Sequence, residues 1–394
     1  MSDNRKEMLD FCLKCSICHT QCPMVAKNPS YPGPKHLGPE AERLRLTGKN
    51  PSRDEQNKYL SYCLNCKRCD EACPHGVKPS VYNVKNKTSI NNAGQESLRD
   101  WILAHNDWWG RIAGKMPGVS NFFLKNPFIK TGMSLLGIAP QRSFPAYKSK
   151  KLKIARDTKD KKAVYFRGCY ARSNEPDIAQ SVIKLLEYAG YQVEIAPLGC
   201  CGTPVISNGL MTEAKKIAEK NIQTLCQYVE KGYKIVSSCP SCTLTLKEEY
   251  DEFFDIPASK KVSQNVWDIF ELLLHDNVEF PGSNKKFSRV IYHVPCHLKA
   301  QGIGTPAANL IRKYVVNSLK VMDKYCCGIS GTFGFKKEKY DLSMKIGNDL
   351  FEEIKKEPYS LVLTDCGTCK LQIEQGTGQK VIHPAVVLAE TIEK

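Results

Sequence analysis

The stretch "LGCCGTPV", residues 198–205, places two cysteines side by side and follows them with a glycine. Neighbouring cysteines reach the geometry of a disulfide only with strain, so they are poor partners for each other. The same arrangement returns at "KYCCGISG", residues 324–331. A recurring pair of adjacent thiols indicates a duplicated site. The pair also locates an internal repeat in the second half of the chain.

The two pairs belong to an internal repeat that begins near residue 163. One copy contains "AVYFRGC", "LGCCG" and "KIVSSCPSC", and the other contains "RVIYHVPC", "YCCGISG" and "LVLTDCGTC". Both read C-x(29–30)-C-C-G-x(36–37)-C-x2-C, and corresponding cysteines lie 126 or 127 residues apart. The pattern predicts two metal sites of five thiols each: Cys169, Cys200, Cys201, Cys239 and Cys242 in the first copy, and Cys296, Cys326, Cys327, Cys366 and Cys369 in the second.

Each copy alternates short apolar runs with helical stretches, which predicts a parallel sheet joined by right-handed crossovers. The runs "AVYF", "KIVSS", "RVIYHV" and "LVLT" are typical of buried strands, and a cysteine follows each of them. Ligands bind at the carboxyl ends of strands in such sheets, so we expect the five cysteines of a copy to converge on one crevice. The adjacent pair is expected to lie in a turn, where Gly202 supplies a positive φ.

Five thiolates per copy are more than one cubane cluster, one zinc ion or one redox disulfide requires. The number favours an iron–sulfur cluster of unusual shape that takes an additional ligand. A thiol/disulfide or persulfide site and a structural zinc site stay open as alternatives for these cysteines.

The first 100 residues carry two further cysteine runs, "CLKCSICHTQCP" at 12–23 and "CLNCKRCDEACP" at 63–74. Both follow C-x2-C-x2-C-x3-C-P, the run of bacterial two-cluster ferredoxins. In that arrangement three cysteines hold one cluster and the fourth reaches across to the other cluster. We therefore predict two cubane [4Fe-4S] clusters, the first held by Cys12, Cys15, Cys18 and Cys73, and the second by Cys63, Cys66, Cys69 and Cys22.

Zinc and haem explain these runs less well. Zinc needs only two C-x2-C pairs and leaves the other cysteines and the prolines without a role. "CSICH" matches the attachment pattern of c-type haem but lies inside a complete ferredoxin run. The remaining cysteine, Cys226, is interpreted as buried and structural. His19 is interpreted as a polar residue near a cluster, and local hydrogen bonding rather than metal ligation is expected of His293, His297 and His383.

Residues 101–145 combine aromatic and basic side chains and include Trp101, Trp108 and Trp109. Such a stretch suits packing within the protein, docking of a partner subunit, or contact with a membrane surface or quinone. The lysine-rich residues 148–162 are interpreted as a solvated linker. The predicted fold is α+β/α/β multidomain, with a helical two-cluster ferredoxin-type domain at 1–100, a connecting segment at 101–162, and duplicated α/β domains with parallel sheets at 163–287 and 288–394.

The composition narrows the function classes. The chain has 394 residues, 19 cysteines and a formal net charge of +16. A chain of this length does not need disulfides for stability, so many cysteines in a reducing compartment indicate metal. The chain has neither an apolar signal core near its start nor a run of about 18 apolar residues, so we expect no signal peptide and no transmembrane helix.

The same features limit the partners. A basic chain is expected to meet an acidic partner, but the sequence has no nucleic-acid-binding motif, so we do not expect nucleic acid. It also has no G-x-G-x-x-G run after a predicted strand. We therefore expect no flavin or NAD on this chain, and no catalytic residues for substrate oxidation.

Two ferredoxin runs followed by two CCG copies resemble the heterodisulfide-reductase-like CCG-domain family. More narrowly, the chain is similar to the iron–sulfur subunits, termed C subunits, of anaerobic glycerol-3-phosphate dehydrogenases. The residues that carry this similarity are "YPGPKHLGPEAERLRL", "CLNCKRCDEACP", "CCGISGTFGFKKEKY" and "TDCGTCKLQIE". The resemblance implies that each five-cysteine motif can hold a non-cubane [4Fe-4S] cluster.

The resemblance also implies a peripheral electron-transfer subunit at the cytoplasmic face of the cell membrane. Flavin-containing partner subunits would oxidise sn-glycerol 3-phosphate to dihydroxyacetone phosphate, and this chain would pass the electrons to menaquinone. Two alternatives stay open, because the same clusters serve them equally well. One is a disulfide reductase of the heterodisulfide type, and the other is the iron–sulfur subunit of a lactate- or glycolate-oxidising complex.

Overall fold

The computed structural model describes residues 9–48, 59–91, 97–155, 157–281, 287–356, 359 and 361–392. Helices make up the regular structure as far as residue 135, and two four-stranded sheets follow. The predicted fold class, a helical ferredoxin-type part followed by two α/β copies with parallel sheets, is confirmed.

Short helices frame two cysteine loops in the N-terminal part. In both loops the second and fourth residues after the first cysteine have positive φ: Lys14 and Ser16 in one, Asn65 and Lys67 in the other. Because non-glycine residues seldom adopt this conformation, its recurrence shows that the two loops follow the same backbone path. The helices are α1 (Ile17–Thr20), α2 (Pro23–Lys27), α3 (Ala41–Leu46), α4 (Arg68–Glu71) and α5 (Pro79–Asn91), with a π-helical turn at His36–Glu40.

The connecting segment contains four helices, α6 (Leu98–Ala104), α7 (Asn106–Ala113), α8 (Pro117–Lys125) and α9 (Pro127–Leu135). The first two pack on the body of the protein, where Ala104 and Gly110 are buried. The last two form a hairpin in which no residue is buried. Beyond the hairpin, the buried guanidinium of Arg142 donates hydrogen bonds to the carbonyl of Gly334 and the side chain of Gln375, both at 2.9 Å. The segment is therefore fixed at both ends and leaves the hairpin at the surface.

The first copy forms a sheet whose four strands are all parallel. Val164 at its centre pairs with Glu194 on one side and Ile235 on the other. The elements are β1 (Lys161–Phe166), α10 (Gly168–Ser173), α11 (Pro176–Tyr188), β2 (Tyr191–Ile195), α12 (Thr203–Ser207), α13 (Met211–Glu230), β3 (Tyr233–Ser237), α14 (Pro240–Leu244), a π-helical turn (Thr245–Glu249), α15 (Tyr250–Phe253), α16 (Ser259–Ser263), β4 (Val266–Asp268) and α17 (Ile269–His275). The strand order is β2-β1-β3-β4.

The second copy repeats this topology. Its elements are β5 (Phe287–His293), α18 (Cys296–Lys299), α19 (Pro306–Tyr314), β6 (Val316–Met322), two 3-10 turns (Phe333–Phe335 and Lys337–Lys339), α20 (Tyr340–Lys355), β7 (Leu361–Leu363), α21 (Gly367–Thr377), β8 (Val381–Ile382), α22 (Pro384–Ala389) and a final 3-10 turn (Glu390–Ile392). The order β6-β5-β7-β8 matches that of the first sheet, strand for strand. Each sheet thus places its cysteine-bearing loops at the carboxyl ends of corresponding strands.

One hydrophobic core joins the two copies. Ile183 on α11 and Leu272 on α17 belong to the same buried cluster as Leu310 on α19 and Leu388 on α22. Helix α11 packs on α22, and α17 packs on α19. Because the copies share their apolar faces, their sheets are held in a fixed relation, and the loops after the strands can build a common site.

Candidate metal centres

The adjacent cysteines of both copies lie in matching turns. Gly202 follows the first pair with φ +85°, and Gly328 follows the second with φ +86°. The backbone N–H of each glycine points to the sulfur of the first cysteine of its pair, at 3.2 Å for Cys200 and 3.4 Å for Cys326. The predicted turn with a positive φ at Gly202 is confirmed. Two neighbouring side chains can therefore aim at one space, which an extended strand would not allow.

All ten repeat cysteines line a single cavity. The sequence predicted one crevice for each copy, and the structure instead merges the two crevices. The physical reason is the common core, which turns the carboxyl ends of both sheets toward the same space. The other side chains on the wall of this shared cavity include Asn65, Cys66, Tyr170, Thr203 and His297.

The cysteines of each copy contact one another inside the shared cavity. In the second copy, the sulfurs of Cys327 and Cys369 lie 3.2 Å apart, and both residues are buried. A hydrogen bond from Cys369 lowers the pKa of the Cys366 thiol to about 6. In the first copy, hydrogen bonds from Cys200 and Cys242 hold the pKa of the Cys201 thiol well below its usual value. Each group therefore favours a thiolate at its centre, which is the form that binds metal.

The four cysteines predicted for the first ferredoxin-type cluster lie together. Cys12, Cys15, Cys18 and Cys73 line one cavity. Burial raises the pKa of the Cys18 thiol to about 11, and the neighbouring Cys12 and Cys73 add to the increase. Negative charge on these neighbours disfavours a thiolate at Cys18, and a bound cation would offset this repulsion.

The four cysteines predicted for the second cluster also share a cavity. Cys22, Cys63, Cys66 and Cys69 line one common space. Cys22 precedes α2 and thus reaches the second loop from the first run, as the ferredoxin arrangement requires. Burial raises the pKa of both Cys22 and Cys66 to about 12. The side-chain amide of Asn83 points to the Cys63 sulfur at 3.7 Å.

The three cavities adjoin one another. Pro79 at the start of α5 lines the first, and its neighbour Ser80 lines the second. Cys66 lines both the second cavity and the shared cavity. Arg68 lies beside this junction and donates hydrogen bonds to the backbone carbonyls of Lys324 at 2.9 Å and Asp323 at 3.3 Å.

The guanidinium of Arg68 brings a positive charge to the place where the second cavity meets the shared cavity. Burial alone would lower its pKa, but the thiolates of Cys326 and Cys66 raise it overall. A permanent cation therefore lies between the second ferredoxin-type group and the second repeat group. Arg68 belongs to the run "CKRC", so the sequence alone shows that it lies between two cysteines. Its contact with the second copy, 255 residues further along the chain, had no local signal.

The histidines divide into two kinds. His297 and His383 are local hydrogen-bonding groups, as predicted: His297 contacts Ser241 at 2.8 Å and the carbonyl of Asn65 at 2.9 Å, and His383 contacts the carbonyl of Ser238 at 3.0 Å. His293 differs, because its Nδ1 is buried without a hydrogen-bond partner. The Nε2 of His19 is likewise buried and unpartnered, and its ring packs beneath Gly33.

Cys226 was predicted to be buried, and the structure corrects this. Its side chain on α13 is only partly covered, and the sulfur contacts Glu230 at 3.5 Å. The helix turns this position toward the edge of the core, whereas Leu225 beside it is fully buried. Cys226 lies apart from the three cysteine-lined cavities, whose walls do not include it.

The donor sets fit iron–sulfur clusters. Each N-terminal cavity gathers four thiols, and the shared cavity gathers two sets of five. Iron–sulfur clusters are held chiefly by cysteine thiolates, and none of the three cavity walls includes the carboxylates that magnesium or calcium would require.

Comparison with known protein families agrees with these sites. The family model described as a 4Fe-4S dicluster domain matches residues 8–77. The family model of the cysteine-rich domain CCG matches twice, at residues 163–247 and 290–374. The N-terminal region therefore has the sequence of an iron–sulfur cluster domain, and the repeat is a duplicated CCG domain.

Three curated relatives are similar to this chain over different shares of its length. The C subunit of anaerobic glycerol-3-phosphate dehydrogenase from Escherichia coli (strain K12) is 34% identical to this chain, and the match covers 97% of this chain and 98% of that protein. The B subunit of fumarate reductase (CoM/CoB) from Methanothermobacter marburgensis is 26% identical, with 92% and 67% covered. Lactate utilization protein A from an Exiguobacterium species is 28% identical, with 58% and 97% covered.

Proposed function

Because this chain belongs to the family of anaerobic glycerol-3-phosphate dehydrogenase C subunits, we propose that it carries electrons from flavin-containing partner subunits to menaquinone at the cytoplasmic face of the membrane. The chain is an iron–sulfur electron-transfer subunit of that family. In the proposed reaction the partner subunits oxidise sn-glycerol 3-phosphate to dihydroxyacetone phosphate. Each oxidation releases two electrons and two protons, and only the electrons travel through this chain.

The observation that carries the proposal is the continuity of the cysteine-lined cavities. The first ferredoxin-type group adjoins the second through Pro79 and Ser80, and the second adjoins the shared cavity through Cys66. Clusters in these places would form a row from one end of the N-terminal part to the two CCG groups. A row of one-electron centres is what a protein needs if it conducts electrons without transforming a substrate.

We propose two cubane [4Fe-4S] clusters in the N-terminal cavities, on the residues that line them. We further propose a non-cubane [4Fe-4S] cluster on each five-cysteine group of the shared cavity. The clusters supply the redox change when they are bound. The residues around them hold the cysteines in place, exclude water through burial, and set the local charge, to which Arg68 contributes a cation beside Cys66 and Cys326.

The surface hairpin of α8 and α9 supports membrane contact. Phe128 and Leu135 are each 86% exposed, and Phe122 is 68% exposed, so the hairpin presents aromatic and aliphatic side chains to the surroundings. Residues 108–156 contain ten lysines and arginines and no aspartate or glutamate. Apolar side chains beside an unbroken basic charge suit an anionic lipid surface. In the described residues, no helix is both long and apolar enough to cross a membrane, so we propose that the hairpin lies on the bilayer surface.

Iron analysis tests the cluster assignment. Protein purified without oxygen is expected to contain about 16 iron atoms per chain, four for each of four clusters. Replacement of Cys201 or Cys327 with serine is expected to lower this number by about four while the EPR signals of the two ferredoxin-type clusters remain. A value near eight in the unmodified protein, with eleven titratable thiols remaining (the ten CCG cysteines and Cys226), would show that the CCG groups hold no clusters.

A second candidate function follows from the shared cavity. Its two five-cysteine groups face one common space, so that a small molecule reaching this space would meet both groups. Two clusters could each give one electron to a disulfide, which would take up two protons and leave as two thiols. Disulfide-dependent oxidation of reduced viologen by the isolated chain would favour this function. Inertness toward small disulfides, together with reduction of a menaquinone analogue in the presence of flavin subunits, would favour electron conduction.

A further inference from the structure

The two CCG copies differ at one buried position next to their cysteine groups. His293 ends β5 three residues before Cys296, and the residue at the same place in the first copy, three before Cys169, is Phe166. Both side chains are only 1% exposed. The repeat therefore exchanges a large apolar ring for an imidazole in the second copy alone.

The imidazole of His293 lies against the second group of thiols. One of its ring nitrogens and the sulfurs of Cys327 and Cys369 all lie within 4.8 Å of one another, and all three residues are buried. The side chain thus lies within reach of the sulfurs that would hold the second cluster.

One ring nitrogen of His293 lacks a hydrogen-bond partner in the described structure. Its Nδ1 is buried and makes no hydrogen bond, and buried polar groups are paired in the great majority of cases. His297 and His383, in contrast, make hydrogen bonds with neighbouring backbone carbonyls. A buried imidazole that has an unpaired nitrogen and lies next to two thiols indicates a partner that the cysteine group itself would hold.

We propose that His293 donates an N–H···S hydrogen bond to the cluster of the second CCG group, and that this bond makes the second cluster easier to reduce than the first. The inference rests on the proposed function, since it requires a cluster in each group. A hydrogen bond to a ligating or bridging sulfur withdraws electron density, and it stabilises the more negative, reduced cluster. Phe166 offers no such donor to the first cluster.

The order of the two reduction potentials determines which CCG cluster accepts electrons first. Cys326 of the second group adjoins Cys66 of the ferredoxin-type part, and Arg68 lies between them. The second cluster is thus the one that exchanges electrons with the N-terminal clusters. A higher potential at this position makes it the first acceptor inside the shared cavity, with the first cluster beyond it.

The test compares H293F, H293Q and F166H in anaerobic redox titrations of the full chain, followed by EPR and combined with iron analysis. In H293F the second CCG cluster is expected to titrate at a lower potential while its iron stays in place. H293Q keeps an N–H donor and is expected to stay close to the unmodified protein. F166H is expected to raise the potential of the first CCG cluster, and neither ferredoxin-type cluster is expected to shift.

Unchanged potentials in H293F and F166H, with iron retained, would overturn the proposal. Loss of about four iron atoms in both H293F and H293Q would also overturn it, because His293 would then be an iron ligand or a structural residue. If H293F loses iron and H293Q does not, the potential of the first CCG cluster in F166H tests the proposal instead. This variant adds an N–H donor to a cysteine group that is otherwise unchanged. A failure of the proposed function is distinguishable, because the unmodified protein would then lack iron at both CCG groups.

Discussion

The Nζ of Lys67 lies 3.3 Å from the Oε1 of Glu249, and the two side chains are 5% and 0% exposed. The lysine belongs to the second ferredoxin-type loop, and the glutamate belongs to the π-helical turn of the first CCG copy. Glu252 approaches the same ammonium group at 3.2 Å, and Asn65 donates to Glu249 at 3.3 Å. A buried charge network therefore joins the loop beside Cys66 to the domain that carries the first five-cysteine group.

Removal of this cation is expected to destabilise the protein strongly. K67M leaves the buried carboxylate of Glu249 without a cation, whereas Glu252 keeps its ion pair with Lys78. Breaking a buried pair in this way typically costs about 3–5 kcal/mol of the free energy of unfolding. The measurement is anaerobic chemical unfolding followed by circular dichroism. K313M is the control, since Lys313 pairs with Glu279 at the surface and exposed pairs contribute about 0–1 kcal/mol. Equal effects of the two substitutions would contradict the buried network.

Serine substitutions separate the two ferredoxin-type clusters. Cys15 lines only the first cavity, so C15S is expected to remove about four iron atoms and one EPR signal. Cys66 also lines the shared cavity, so C66S is expected to remove the second cluster and, in addition, to change the signal of the second CCG cluster. C226S is the matched control and is expected to leave iron and spectra unchanged. An effect of C66S confined to the N-terminal signals would argue against the junction.

The two glycines after the cysteine pairs are expected to respond differently to alanine. Both have positive φ, which costs an added side chain about 1–2 kcal/mol. A Cβ at Gly202 would meet its nearest atom, on Ile217, at 3.4 Å, whereas a Cβ at Gly328 would collide with the carbonyl oxygen of Ser343. G328A is therefore expected to lose iron at the second CCG group, while G202A keeps iron and is only mildly destabilised. Similar iron contents in the two variants would show that the second turn can shift.

The hairpin is expected to govern vesicle binding. F128S/L135S removes two side chains that are each 86% exposed, and it is expected to weaken sedimentation with vesicles containing phosphatidylglycerol several-fold. The control L46S changes an exposed leucine on α3, outside the hairpin, and is expected to bind like the unmodified protein. Neutral phosphatidylcholine vesicles are expected to bind more weakly, because the basic residues would lose their attraction. Undiminished binding of the double variant would assign another surface.

Acid is expected to reduce stability through His383. Burial lowers its pKa from 6.5 to about 4 in the folded protein. Between these values the unfolded chain binds the proton more readily, so the free energy of unfolding falls as the pH falls. From pH 7.5 to 5.5 this one side chain is expected to contribute a loss of about 1 kcal/mol. H383N keeps an acceptor for the N–H of Ala385 and should show a correspondingly smaller pH dependence.

The sequence was sufficient for those features that depend on spacing. Apolar runs that alternate with helical stretches predicted the sheets and placed the cysteines at the ends of strands, because hydrophobic runs and ligand spacing are local properties. The ferredoxin runs predicted which of the eight N-terminal cysteines lie together. Long-range packing was not predictable in this way, since the merging of two crevices depends on how α11 and α17 pack against the second copy.

Individual residues also show that long-range contacts are not predictable from the sequence. Arg68 and Lys67 read as ordinary basic residues within a cysteine run, yet they bind groups more than 180 residues away in the sequence. Cys226 was expected to be buried because it lies inside a helical run, but the rotation of α13 places it at the edge of the core. His293 could have been noticed by aligning the two copies, because it is the polar exception opposite Phe166.

The shared cavity has a magnetic consequence. Two clusters that face one space without a sheet between them would be close enough for their unpaired electrons to interact when both are reduced. The EPR spectrum of the fully reduced protein would then not equal the sum of its one-electron spectra, and the line shape would report the spacing of the two groups. Spectroscopy could thus measure the distance across the cavity in solution.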